Sequence, residues 1–254
     1  MGASPRDLSV IAIRGVPEVR SGDDLADFLW SAMGREGLTL RDGDVLVVAH
    51  KVVSKAEGRL ADLNAVTPSP FARQIAGALR KDARLVEVIL GETRRIVRMD
   101  RGVLVVETHH GLVCANAGVD QSNVEGDGVV ALLPRDPDAS ARSLRKALED
   151  RAVCRLAVII ADTFGRPWRE GLVNVAVGVS GLPALRDYRG EKDPYGFTLV
   201  GTMMALADEV ASAAELVMGK VDRVPAAIVR GLPLEDEGRG ASDLLRDPER
   251  DIFR

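Results

Sequence analysis

The chain has 254 residues, 46% hydrophobic and 28% charged, with a formal net charge of -4 and a pI near 5.5. That length fits one large domain or two small lobes, and the composition supplies both a core and a charged surface. The acidic balance argues against a general nucleic-acid binder, and no apolar run approaches the roughly 18 residues that a membrane helix needs.

Leu8 to Ile13 reads as a strand, and Gly15-Val16-Pro17-Glu18-Val19 as the loop that leaves it. Asp23 and Asp24 open a helix whose apolar face carries Leu25, Phe28, Leu29 and Met33, and Gly37 is its stop. Asp44 to Ala49 is a strand buried on both faces, running into His50-Lys51-Val52-Val53-Ser54-Lys55. Ser69-Pro70 starts a helix that ends near Leu79. Leu85 to Leu90, Arg95 to Met99 and Val103 to Thr108 read as three strands of an antiparallel meander.

Val129 to Leu133 reads as another strand, and Asp136-Pro137 opens a helix to about Glu149. Leu156 to Ala161 is a strand, followed by Gly-rich, polar sequence from Thr163 to Gly196 that reads as loop. Leu206 to Met218 is helical and stops at Gly219, Val224 to Val229 is a last strand, and Ser242 to Leu245 is at most a short helix. The mixture is α+β, with largely antiparallel sheets and flanking helices. The whole of 1–254 reads as a single domain, in which two lobes would divide near Arg84 and Leu199: about 1–83 with 199–254, and about 84–198. The N-terminus MGASPRDLSV has no signal-peptide core. Two cysteines, Cys114 and Cys154, lie far apart in apolar runs, as reduced thiols of a cytoplasmic protein do.

No P-loop, HExxH, CxxC or GxSxG is present. Gly126-Asp127-Gly128 matches a dinucleotide fingerprint by letters only, because Pro134 follows where a helix would have to run. Two stretches carry the chemistry instead. Leu104 to Val124 runs from an apolar strand through His109-His110 to Asp120 and Asn123. Val158 to Gly171 delivers Asp162 and Thr163 at the end of an apolar run, then Arg166, Trp168 and Arg169.

Asp120 suits either an Asx-type turn or a hard-cation ligand, with Asn123 bonding a bound ligand. Asp162 suits either a cap or a ligand. Read together, the two aspartates meet around a metal that carries nucleotide phosphates, with the Thr163 hydroxyl beside it. Lys51 and Lys55, flanking Ser54 directly after a buried strand, are placed to meet phosphate, and His50 to donate to a phosphate or carbonyl. Trp168 is either core or a stacking surface, and at most one of His109 and His110 faces the site.

The order and spacing of VPEV, HKVVSKAEGR, HGLVCANAGVDQSNV, ADTFGRPWREG, KDPYG, VMGK and the terminal DIFR resemble the coenzyme F420-0:γ-glutamyl ligase family over nearly the whole chain. The resemblance implies a mixed α+β ligase domain working as an intertwined homodimer. Such enzymes add L-glutamate, through γ-linkages, to coenzyme F420-0, consuming GTP and releasing GDP and phosphate. They use Mg²⁺ or Mn²⁺, two ions in this reading, with K⁺ as a helper. By motif match, Asp120 and Asp162 hold one ion and Thr163 contacts a second. Val16, Pro17, Glu18, Val19, His50, Lys55, Asn123 and the loop of Met218, Gly219 and Lys220 contact GTP. Asp120, Asp162 and Lys55 are then the catalytic set. Many relatives have a small hydroxyl residue where His50 stands, and archaeal ones an acidic or amide residue where Lys220 stands.

The reaction implied is phosphorylation of a carboxylate by GTP, followed by attack of the glutamate amine on the acyl phosphate. The rivals are a metal-dependent phosphohydrolase using the same aspartates on a phosphorylated small molecule, and a nucleotide-binding module without turnover.

Overall fold

The computed structural model describes residues 7–234 and 238–251; the start of the N-terminal stretch and the last three residues of the DIFR motif lie outside them. In chain order the elements are β1 (Ser9–Ile13), α1 (Leu25–Arg35), β2 (Asp44–Ala49), α2 (His50–Ala56), β3 (Leu60–Asp62), α3 (Pro70–Leu79), α4 (Ala83–Gly91), β4 (Thr93–Asp100), β5 (Val103–Thr108) and β6 (Val113–Ala115). They continue with β7 (Val129–Ala131), α5 (Pro137–Ala152), β8 (Leu156–Arg166), β9 (Arg169–Ser180), β10 (Arg186–Asp187), β11 (Met203–Met204), α6 (Leu206–Met218) and β12 (Ala226–Arg230).

A five-stranded sheet in the order β1-β12-β2-β8-β9 forms the centre. Its pairings are antiparallel except for β2 and β8, which run parallel. The inner strands are buried on both faces, which explains their unbroken apolar runs. Val45, Val47, Ala157 and Ile159 face one cluster with Val210, Ala211 and Ala214 of α6. Leu46, Val48, Val158 and Ile160 face the other, with Leu29 and Met33 of α1 and Leu144 and Leu148 of α5. The pleat's period of two sends alternate residues to opposite helix layers.

Local chemistry sets the helix ends. The Asp24 side chain accepts from Asp27 N at the start of α1, and Asp136 accepts from Ala139 N ahead of Pro137 at the start of α5. Close contact with the sheet needs small residues. A Cβ at Gly178 of β9 would collide with the Pro137 carbonyl.

A third cluster gathers α3, α4 and strands β5 and β7 around Ile75, Val86, Ile89, Leu104, Val106 and Val130. Arg84 lies inside α4, which packs on α3 in this cluster.

Two expectations are corrected. Leu85 to Leu90 is helix, part of α4, because Asp82 accepts from Arg84 N at its start and burial falls on Val86 and Ile89, one helical turn apart. The antiparallel meander is therefore β4-β5-β6. The stretch from Thr163 onward is not all loop. β8 continues to Arg166 and turns at Pro167-Trp168 into β9, a long hairpin whose outer part is exposed and so lacks an apolar pattern.

Candidate active site

The parallel pair β2–β8 sets up the site. Ala49 and Ala161 are the last register partners, so the chain delivers His50 and Asp162 side by side where the parallel pairing ends, at the end of β2 and of the buried half of β8. Sheets with parallel strands open their ligand crevices at that end. Here a cavity of about 620 Å³ opens there.

Its walls come from distant parts of the sequence. Val16, Pro17, Glu18, Val19 and Arg20 line it from the loop after β1. His50, Lys51 and Lys55 line it from α2, which begins where β2 ends. Asn123, Val124 and Glu125 close one side, and Asp162, Thr163 and Asn174 the floor. Met218, Gly219, Lys220 and Arg223 come from the end of α6 and the loop after it. Every residue expected at the nucleotide therefore lies on one cavity.

Lys55 is buried and its ammonium donates to the Glu18 carboxylate. The Thr163 hydroxyl donates to Asn174 Oδ1 at 2.6 Å and in turn accepts from Lys220 Nζ. Asp162 Oδ1 accepts from Thr163 N at 2.7 Å and lies 3.3 Å from His50 Nε2. Cys114 sits close by: burial pushes its thiol pKa up to about 12, with the negative charge of Asp162 adding to the effect.

Asp120 is placed differently. It forms the Asx turn, accepting from Ser122 N at 2.8 Å, and it also accepts from Lys51 Nζ at 2.6 Å. It is not part of the cavity lining and meets the site through Lys51, which is. Burial works to raise its pKa, but the hydrogen bonds from Lys51 and Ser122 prevail and hold it below the ordinary carboxylate value.

The His pair stands apart. β5 ends at Thr108, and His109 Nε2 and His110 Nε2 lie 3.2 and 2.9 Å from the carbonyls of Gly91 and Pro134. Arg166, Trp168 and Arg169 surround the hairpin turn and are not part of the cavity lining.

Asn174, Arg20 and Arg223 escaped the sequence reading. Asn174 pairs with Thr163 across the β8–β9 ladder. With that hairpin read as loop, no cross-strand neighbour was visible.

The donor types in this lining, carboxylate, amide and hydroxyl oxygens at Asp162, Asn174 and Thr163, suit a hard divalent ion. Among the described residues, no group of three or more His, Cys, Asp or Glu side chains is placed to hold a metal. An ion at Asp162 would thus need ligands from outside the protein, as Mg²⁺ commonly does. At Thr163 an ammonium of the chain already holds the hydroxyl oxygen.

A family model for F420-0:gamma-glutamyl ligase matches residues 14–231. The chain is 50% identical to the coenzyme F420:L-glutamate ligase of Methanothermobacter thermautotrophicus over 251 residues, covering 97% of this chain and 99% of that one. It is 50% identical to that of Methanopyrus kandleri, over 97% of this chain and 99% of that one. With that of Archaeoglobus fulgidus it shares 42% identity, over 97% of this chain and 96% of that one. Residues 14–231 take in the β1 loop, α2, Asp162-Thr163 and the Lys220 loop, so the match covers the walls of the cavity, and the chain belongs to the F420-0:gamma-glutamyl ligase family.

Proposed function

We propose that this chain is a GTP-dependent ligase that joins L-glutamate to coenzyme F420-0 and adds further glutamates through γ-linkages. The coenzyme F420:L-glutamate ligase activity for which its relatives are named supports the ligase reading. The observation that carries it to this chain is the cavity shared by Asp162, Thr163, Lys55 and Lys220 where the parallel pairing of β2 and β8 ends.

A carboxylate is a poor acyl donor, because an oxide would have to leave. In the proposed reaction a carboxylate oxygen of the acceptor attacks the γ-phosphorus of GTP, and GDP leaves with the bridging electron pair. The amine of glutamate then attacks the carbonyl carbon of the acyl phosphate, loses a proton, and phosphate leaves as the amide forms. Phosphoryl transfer asks the protein mainly for alignment and charge neutralisation. Lys55, Lys220 and Arg223 supply positive charge to the phosphates, and Val16 to Val19 with His50 and Asn123 hold the nucleotide. Asp162, with Asp120 drawn from Lys51, would hold Mg²⁺ or Mn²⁺, which when bound neutralises charge developing on the phosphate oxygens.

We further read the working unit as a homodimer. Large apolar side chains stand exposed on the β8–β9 hairpin (Trp168, Leu172) and between β10 and β11 (Tyr195, Phe197, Val200).

Mass spectrometry of deazaflavin products after incubation of the protein with F420-0, GTP, L-glutamate and Mn²⁺ tests the activity. Products heavier by successive glutamyl residues, formed with matching GDP, are expected. Phosphate release that needs no glutamate and leaves F420-0 unextended would favour a phosphohydrolase and overturn the ligase reading.

A further inference from the structure

His50 is 1% exposed, and its Nε2 has no hydrogen-bond partner. A buried polar atom left in that state needs a reason. The hydrogen-bond chain behind the ring supplies one. The Ser54 hydroxyl donates its proton to the Leu132 carbonyl at 2.6 Å. Having spent that proton, Ser54 Oγ can only accept from His50 Nδ1, which lies 3.4 Å away. Nδ1 therefore carries a proton, and Nε2 is the ring nitrogen that faces Asp162.

Asp162 Oδ1 lies 3.3 Å from that nitrogen, close enough for a hydrogen bond, yet the two are not aligned as donor and acceptor. With metal–ligand distances of about 2.0–2.2 Å, neighbouring ligands of one ion stand roughly 3.0–3.5 Å apart. The observed separation falls in that range. The histidine's second nitrogen is anchored by a hydroxyl that is itself anchored by backbone, the arrangement that fixes a metal-binding tautomer.

We infer that His50 Nε2 is a metal ligand and, with Asp162 Oδ1, seats a divalent transition-metal ion on the floor of the cavity. This rests on the reading above that the cavity takes a metal-bound nucleotide, and it adds a nitrogen ligand to that ion. A purely oxygen-lined site suits Mg²⁺; one imidazole nitrogen shifts preference toward Mn²⁺ and later first-row ions. His109 and His110 lie against the Gly91 and Pro134 carbonyls, and neither is in the cavity lining. Among the chain's three histidines, only His50 is placed to couple to an ion there.

Pulsed EPR of the full chain with Mn²⁺ and GTP tests this. The expected spectrum shows nitrogen coupling of the size given by a directly bound imidazole. Growth on ¹⁵N-histidine should convert it to the ¹⁵N pattern, a change that needs no variant. His50→Gln should remove it and weaken Mn²⁺ binding by about tenfold or more, with a much smaller effect on Mg²⁺. Bound Mn²⁺ without histidine coupling would overturn the inference and leave the metal-nucleotide reading standing. Failure of the protein to bind Mn²⁺ at all with GTP present would overturn both.

Discussion

Lys55 shows how burial and charge combine at a single residue. Its ammonium is almost wholly buried and is held by Glu18, whose loop lines the same cavity. In the proposed function Lys55 meets phosphate, and a buried cation interacts more strongly than a solvated one because the local dielectric is lower. Lys55→Ala should therefore weaken GTP binding by about ten- to a hundredfold, the range of a charge-assisted hydrogen bond. Titration calorimetry with GTP and Mn²⁺ measures it, and unchanged affinity would remove Lys55 from the nucleotide contacts. Asp120 makes a second prediction at this scale. Its pKa is depressed below 3.8 on balance by Lys51 and Ser122, although burial opposes them. A depressed carboxylate stabilises the fold above its unfolded pKa, and that contribution is lost as pH falls through the folded value. As pH falls below about 5, Lys51→Met should lose less stability than the wild type, because it lacks this tie from the outset. Equal acid sensitivity in chemical denaturation would show that the Lys51–Asp120 contact does not persist in solution.

At the scale of elements, the loop after α6 decides whether Lys220 reaches Thr163. Gly219 ends that helix with φ +61 and ψ -173, a region open essentially to glycine alone. A Cβ there would also collide with the Asp222 carboxylate. Gly219→Ala should displace Lys220 and lower GTP affinity by about tenfold, with the sheet core intact by circular dichroism. Wild-type affinity in that variant would mean that the loop is not set by Gly219.

Elements with strong local signals were legible in the sequence: α6 is observed as read, and α1, α3 and α5 begin at the caps expected of them. Two elements were not. Leu85 to Leu90 carries Val and Ile in a short apolar run, where strand and helix patterns coincide and only Asp82 marks the helix. The outer β8–β9 hairpin is exposed and contains Gly165 and Pro167, so its strands rest on backbone pairing that leaves no periodic trace.

For the molecule as a whole, the site is a product of topology. One parallel pairing in an otherwise antiparallel sheet brings residues 50 and 162 together, and no local feature of the sequence records that pairing. The aspartates were legible as candidates because each follows an apolar strand or small-residue turn. Their partners were not: Lys51 meets Asp120 across 69 positions, and Lys220 meets Thr163 across 57. Lysine contacts over such separations follow from the packing of α2 and α6 on the sheet. The comparison of wild type with Asp162→Asn in one glutamylation assay tests the account most directly, with product followed by mass spectrometry and fold by circular dichroism. Loss of at least about a hundredfold in turnover with unchanged fold is the predicted result. Wild-type turnover by Asp162→Asn at ordinary metal concentrations would contradict the placement of the reaction in this cavity.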